Sequence, residues 1–184
     1  LTHGGAADPT ALHEGAALLG QDPNCAALEM AGSGGQFTTE AEIRIALTGA
    51  QMQASIDGEP PAWNASHLLP AGATLSIGGA RDGAYAYLNV GGGFDVEEVM
   101  SSRASHLTAG IGRLLESGDR LPLGKDRGGE VNLTLPRDNR FGAERGLSLI
   151  HLFRSRSATT CTSPWPPCRT KKHNTQSRRP TNTS

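Results

Sequence analysis

The chain has 184 residues, enough for one domain or one domain plus a tail, and no apolar run approaches the roughly 18 residues of a membrane span. Only 36% of residues are apolar and 24 are glycine, a composition that points to short strands and many tight turns. The net charge of −1 averages two unlike segments and says nothing about nucleic acid: residues 1–144 hold all 18 acidic residues against 9 Lys and Arg, and residues 145–184 hold 8 Lys and Arg and no acid.

The opening, "LTHGGAADPT", has no Met and no signal-peptide pattern, which suggests a fragment of a soluble cytoplasmic protein. Residues 9–20, "PTALHEGAALLG", predict a helix with Asp8 as N-cap, Pro9 in the first turn and Gly20 at the C-terminal stop. Leu12, Ala16 and Leu19 fall near helical spacing on it. "CAALEMAGSGG" follows as a short strand or helix end that breaks on glycines, with Cys25 packing as a small hydrophobe. In "EIRIALTG", Ile43, Ile45 and Leu47 alternate with Arg44 and Ala46, the pattern of a half-buried strand. Asp57-Gly58 between extended runs signals a hairpin. "GATLSIGG" and "GAYAYLNVGGG" predict two further strands, with a turn at Asp82-Gly83 between them. Leu69–Gly83 and Leu115–Gly129 echo one another as glycine turn, short alternating strand and glycine; two copies cannot stack as a solenoid, so the echo reads as a barrel-building device. "RASHLTAGIGRLL" is either a helical turn or, given its glycines, a loop.

Beyond Gly142 the text changes. From Arg154 to Ser184 only Ala158, Cys161, Trp165 and Cys168 are apolar, too few to offset the entropy of ordering, so residues 143–184 are expected to be a disordered basic tail. A frameshifted, non-native read-through has this composition, and so does a genuine tail. Cys161 and Cys168 have no metal-ligand spacing, and an odd total of three cysteines argues against a disulfide framework.

Chemistry-bearing motifs are sparse. The stretch "GGGFDVEEVMSSRASH", Gly91–His106, follows a strand, but Val96 stands where a dinucleotide fingerprint needs its third glycine. No Lys-Ser/Thr pair follows to make a phosphate loop, and Asp95, Glu97 and Glu98 repel phosphate, so the glycines read as a turn. A nucleophile elbow GxSxG is absent, and Ser105 beside His106 proves no dyad, because sequence neighbours in a strand point apart. Arg103 either pins a local carboxylate or backbone carbonyls, or binds a substrate carboxylate through its planar donor fork. "NAS" at Asn64 and "NLT" at Asn132 have the shape of glycosylation sites without a secretion signal. His3, His13 and His67 lack ligand spacing, and Trp63 is expected to cover a core edge.

Several blocks taken together, "GGAADPTAL", "LLGQDPNCAALEMAGSGGQF", "IALTGAQMQASIDGEPPAW", "LPAGATLSIGGARDGAYAYLNVGGGF", "SSRASHLTAGIGRLLESGDRLPLG" and "LPRDNRFG", occur in one order and spacing. Over residues 1–142 the chain resembles the biotin-dependent carboxyltransferase family, also described as allophanate hydrolase subunit 2 or KipA-like, which includes the C-component of 5-oxoprolinase and the matching part of urea carboxylase. The resemblance implies a mainly β, cyclophilin-like barrel with a short N-terminal helix, spanning about residues 8–130. It also implies that residues 1–142 are the first barrel part of a longer polypeptide: the family's Q-D-x-G-R-x-G opening is absent before Leu1, and its second barrel-like half is absent after Gly142.

For function the resemblance implies an ATP-dependent 5-oxoprolinase-type hydrolysis of a small cyclic amide. The expected partners are a KipI-like protein, of the type of the 5-oxoprolinase B-component, and an ATP-using subunit. The alternatives are biotin-dependent carboxyl transfer to urea or a related amide, and a KipA-like regulatory module without catalysis. No cofactor is expected on this chain, since it lacks a phosphate loop and a biotinyl-lysine motif; ATP or carboxybiotin would arrive on partner subunits. No nucleic-acid or membrane partner is expected, and the fragment alone is expected to be inactive. The family's G-S-R-S-T/S block corresponds to Ser101–Ser105: Arg103 matches, Ser101 replaces a glycine and Ala104 replaces a serine. Gly4 replaces the serine of a second block, S-G-A-M-D, at residues 4–8. Arg103, Ser105 and His106 are the candidate substrate-binding residues.

Overall fold

The computed structural model describes residues 5–135; the tail expected from residue 143 lies outside them. Helix α1 spans Pro9–Leu18, and strands β1 Leu28–Ala31, β2 Gln36–Thr38, β3 Ile43–Ile56, β4 Ala65–Leu69 and β5 Thr74–Val90 follow. All pairings are antiparallel in the order β1-β5-β3-β4, and β2 adds to the early part of β5. The mainly β expectation with one short N-terminal helix holds. Among the described residues β1 and β4 end the sheet, so no ladder closes it into a ring.

The helix starts as its sequence dictates. The Asp8 carboxylate accepts from the Ala11 N–H at 3.1 Å, Pro9 needs no partner in the first turn, and Gly20 takes a φ of 61° just past the last turn. Of its expected apolar positions Ala16 and Leu19 are buried and Leu12 is half-buried; Ala11, Glu14, Gly15 and Leu18 complete the buried face, where Ala11, Gly15 and Ala16 are small enough to let the helix lie close to the sheet. A β-carbon on Gly15 would overlap the amide of Asn89, which is fully buried beneath the helix.

Strands β3 and β5 carry the architecture. Inward residues of β3 are Ile43, Ile45 and Leu47, then Ala50, Met52, Ala54 and Ile56. The inward set passes from odd to even at Gly49, whose φ is 82°. On β5 the set passes from Leu75 and Ile77 to Ala80, Ala86, Leu88 and Val90; the pairing with β3 slips between Ile77 and Ala80, across Gly78-Gly79, and again on either side of Asp82. These irregularities keep one apolar cluster continuous along two long strands and bend them around it. All five strands contribute to that cluster, with Met30 from β1, Phe37 from β2 and Leu69 from β4. Each fully buried aliphatic side chain in it contributes about 1.5–3 kcal/mol.

Four local readings change. β3 is not half-buried: Arg44, Ala46 and Thr48, on the other face, are buried under α1, and Ala46 packs with Leu18 and Leu19. Asp82-Gly83 is not a turn; both residues lie inside the single strand β5, where Gly83 at φ 83° passes over Ala50. Asp57-Gly58 does turn the chain, with φ values of 49° and 93° and a reciprocal Ile56–Glu59 pair, but Pro60 and Pro61 lack N–H groups and end that ladder at once. The second member of the echo, residues 115–129, forms no strand and contributes one bridge, Leu123 to Phe94. Trp63 meets expectation: it packs on the core edge and its Nε1 donates to the Gly49 carbonyl at 3.0 Å.

Candidate functional site

The glycines after β5 make a turn, as read from the sequence. The Gly93 N–H donates to the Val90 carbonyl at 2.9 Å, and Gly92 and Gly93 have φ values of 82° and 74°. Two loops converge on this turn, the connection from α1 to β1 and the segment that carries Gly124. Gly92 N–H donates to Gln21 Oε1 at 2.9 Å, Phe94 N–H to the Ala26 carbonyl at 3.1 Å, and Gly124 N–H to the Gly93 carbonyl at 2.9 Å. Gly124 lies so close to the Gly92 backbone that a β-carbon there would overlap the Gly92 carbonyl.

Between these loops lies an open cleft of about 260 Å³, lined by Asp22, Asn24, Cys25, Phe94, Asp95 and Arg103, with Ala26 and the two glycines behind them. Asp22 Oδ1 is used locally, accepting from the Asn24 N–H at 2.8 Å and its side-chain amide at 2.9 Å. Arg103 donates from Nε to the Val96 carbonyl at 3.1 Å and pairs through Nη1 with Glu98 at 3.3 Å. Both partners of that pair are more than a third exposed, which places it among surface pairs contributing about 0–1 kcal/mol. Arg103 is therefore held in place weakly, at the mouth of a cavity, by a carboxylate that another carboxylate can replace.

The three sequence candidates have different surroundings. Arg103 lines the cleft; Ser105 and His106 lie outside its lining. Ser105 is exposed and packs its side chain against Gly112. His106 caps a single 3₁₀ turn, Leu107–Ala109: its Nδ1 accepts from the Ala109 N–H at 3.2 Å, which puts the proton of the neutral ring on Nε2. Cys25, read as a packing residue, is half-buried in the cleft wall with its β-carbon against Gly93. Sequence reasoning missed Asp22, Asn24 and Cys25 as neighbours of Arg103, since about eighty residues separate them along the chain. Among the described residues no group of His, Cys, Asp and Glu is placed to hold a metal ion, and no helix is long and apolar enough to cross a membrane.

A second arginine supports the cleft from behind. Arg44, 8% exposed on β3, grips Asp126 with Nε at 2.9 Å and Nη2 at 2.5 Å, and donates from Nη1 to the Leu19 carbonyl at 3.0 Å. Hydrogen bonding from Arg44 holds the Asp126 carboxyl below the usual carboxylate range against the opposing effect of burial. The pair fastens the segment carrying Gly124 to β3 and, through Leu19, to the end of α1. On the same face of the sheet Tyr87 donates to Glu29 Oε2 at 2.6 Å and accepts from the Asp8 N–H at 2.7 Å, fixing the start of the helix. Burial, with Glu29 next, raises the Tyr87 phenol well above its ordinary value, so it stays protonated.

Residues 1–163 match the family described as the carboxyltransferase domain, subdomain A and B. The chain belongs to that family. This carboxyltransferase-family chain is 41% identical over 134 residues to the C-component of 5-oxoprolinase from Escherichia coli, a match covering 69% of the chain and 42% of the relative. It is 31% identical over 108 residues to urea amidolyase of Saccharomyces cerevisiae, covering 56% of the chain and 6% of that relative. The crystal structure of Kluyveromyces lactis urea carboxylase superposes with a TM-score of 0.62 at 25% identity, over 71% of this chain and 12% of that one. The chain thus spans less than half the length of each of these relatives. The family resemblance read from the sequence, with its mainly β fold, stands.

Proposed function

We propose that this chain supplies the carboxyltransferase-family domain of an ATP-dependent 5-oxoprolinase-type enzyme, which opens a small cyclic amide together with partner subunits. The observation that carries the reading is the 41% identity with the C-component of 5-oxoprolinase, a relative whose name makes it one member of an assembly. In this reading the enzyme is completed in the cytoplasm by a KipI-like protein and an ATP-using subunit, and no cofactor resides on this chain. An unstrained amide resists water, so the energy for ring opening comes from ATP on a partner. The part of this chain is to bind and orient. Arg103, exposed at the cleft and only weakly engaged by Glu98, would hold the substrate carboxylate through its donor fork.

The likeness to urea amidolyase supports a second reading, carboxyl transfer from carboxybiotin on a partner to urea or a related amide. The two are separated by mixing a full-length version of the chain with its partner subunits and following glutamate release from 5-oxoproline, with and without ATP. ATP-dependent release is expected. Arg103→Ala is expected to lower kcat/KM roughly 10- to 100-fold, the effect of losing a hydrogen bond to a charged group, with an unchanged circular dichroism spectrum. Carboxylation of urea without glutamate release would transfer the assignment to the second reading.

A further inference from the structure

Asp95 lines the cleft together with Arg103, yet neither the sequence motifs nor the family match gives it a role. Its backbone is fixed from two sides: its own N–H donates to the Pro122 carbonyl at 2.8 Å, and the preceding Phe94 is tied to Ala26 and bridged to Leu123. Its carboxylate takes no hydrogen bond and no ion pair from the described residues and faces solvent in the cleft lining. The other lining acid, Asp22, already accepts from Asn24. On the opposite sign, Arg103 Nη2 donates to none of the described residues, because the Val96 carbonyl takes Nε and Glu98 pairs with Nη1. The cleft therefore offers one cationic donor and one anionic acceptor that the fold itself leaves uncommitted.

An anionic guest meets a charge problem here. Asp22 and Asp95 in the lining, with Glu98 already on Arg103, set three carboxylates against one guanidinium and repel a bare carboxylate, and the repulsion is relieved only if the guest also brings a donor for the free acid. A lactam acid does so by its connectivity, since the ring N–H is attached to the carbon that bears the carboxylate. Resting on the 5-oxoprolinase reading, we propose that Asp95 is a specificity-determining residue that accepts the ring N–H of a lactam acid while Arg103 holds its carboxylate. The corresponding lactone acid, with a ring oxygen in place of N–H, turns the same contact into acceptor against acceptor. A site that hydrogen-bonds a substrate N–H rejects the analogue lacking it far more strongly than an apolar site rejects a missing methylene.

The test is titration of this chain with 5-oxoproline and with the matching five-membered lactone acid, read by NMR chemical-shift changes at the Gly92, Asp95 and Gly124 amides. Wild type is expected to prefer the lactam by about tenfold or more. Asp95→Asn, which keeps the side-chain volume and supplies a donor, is expected to shrink the preference to about twofold, chiefly by admitting the lactone. An undiminished preference in Asp95→Asn overturns the inference, as does equal binding of both compounds by wild type. Absence of lactam binding to the cleft overturns it too. The 5-oxoprolinase reading is judged separately by glutamate release, so it can survive each of these outcomes.

Discussion

Replacing Asp126 with Asn removes a charge from the Arg44 clamp while keeping the shape of the side chain. The magnitude follows from where the two groups lie. Arg44 is 8% exposed and Asp126 31%, so the pair falls between a surface bridge, about 0–1 kcal/mol, and a buried pair whose disruption costs about 3–5 kcal/mol. Asn retains one acceptor oxygen, and Leu19 still accepts from Nη1. A loss of about 2 kcal/mol at pH 7 is expected. Because the folded-state carboxyl is held below its ordinary value, its contribution is complete above the unfolded value of about 3.9 and fades as pH falls through the folded value. Urea denaturation of wild type and Asp126→Asn from pH 7 to pH 2 measures this directly. The stability gap should be constant down to about pH 5 and close below about pH 4. A gap that is absent at pH 7, or that does not change with pH, would refute the argument. Amide exchange at Gly124 and Gly128 should quicken in the variant, since the Gly128 N–H donates to Asp126 Oδ1 at 3.0 Å.

Two further substitutions test the backbone reasoning. Ser101 and Met100 form the tip of a tight turn closed by Val99 and Ser102, with φ values of 61° and 53°. Relief of left-handed strain, about 1–2 kcal/mol, exceeds the entropy that glycine adds to the unfolded chain, so Ser101→Gly should stabilise by about 0.5–1 kcal/mol in thermal or urea melts; a loss would sink this account. Gly15→Ala should do the opposite of what helix propensity says. Alanine favours an exposed helix by about 1 kcal/mol, but here its methyl group must displace the buried Asn89 amide, and a net loss of about 1–2 kcal/mol is expected, while a gain would show that the helix can lift freely.

How much of this was legible in the sequence differs between elements for physical reasons. The helix start at Asp8-Pro9 and its stop at Gly20 were readable because capping is local chemistry. The turn at Gly91–Gly93 was readable because it lacks the partners a phosphate loop needs. Asp82-Gly83 misled because the same positive-φ preference serves a hairpin turn and an irregularity inside a strand, and only pairing with β3 decides between them. Arg44 misled because alternation marks one face as polar without saying whether a helix covers it; Asp126, 82 residues away, decides that. The same holds at the cleft. The sequence singled out Arg103 as a donor fork, but Ser105 and His106 came with it only as neighbours in the chain.

What the sequence determined by itself is therefore the set of short-range commitments: where the helix begins and ends, where apolar residues alternate, where glycine must turn the chain, and the blocks by which the family is recognised. Tertiary structure alone decided which distant segments share a surface. It set Cys25, Asp95, Arg103 and Gly124 around one cleft and buried Arg44 beneath α1. The reason is that long antiparallel strands with inserted residues fix register through contacts tens of residues apart, and a contact of that range leaves no periodicity for a local reading to find.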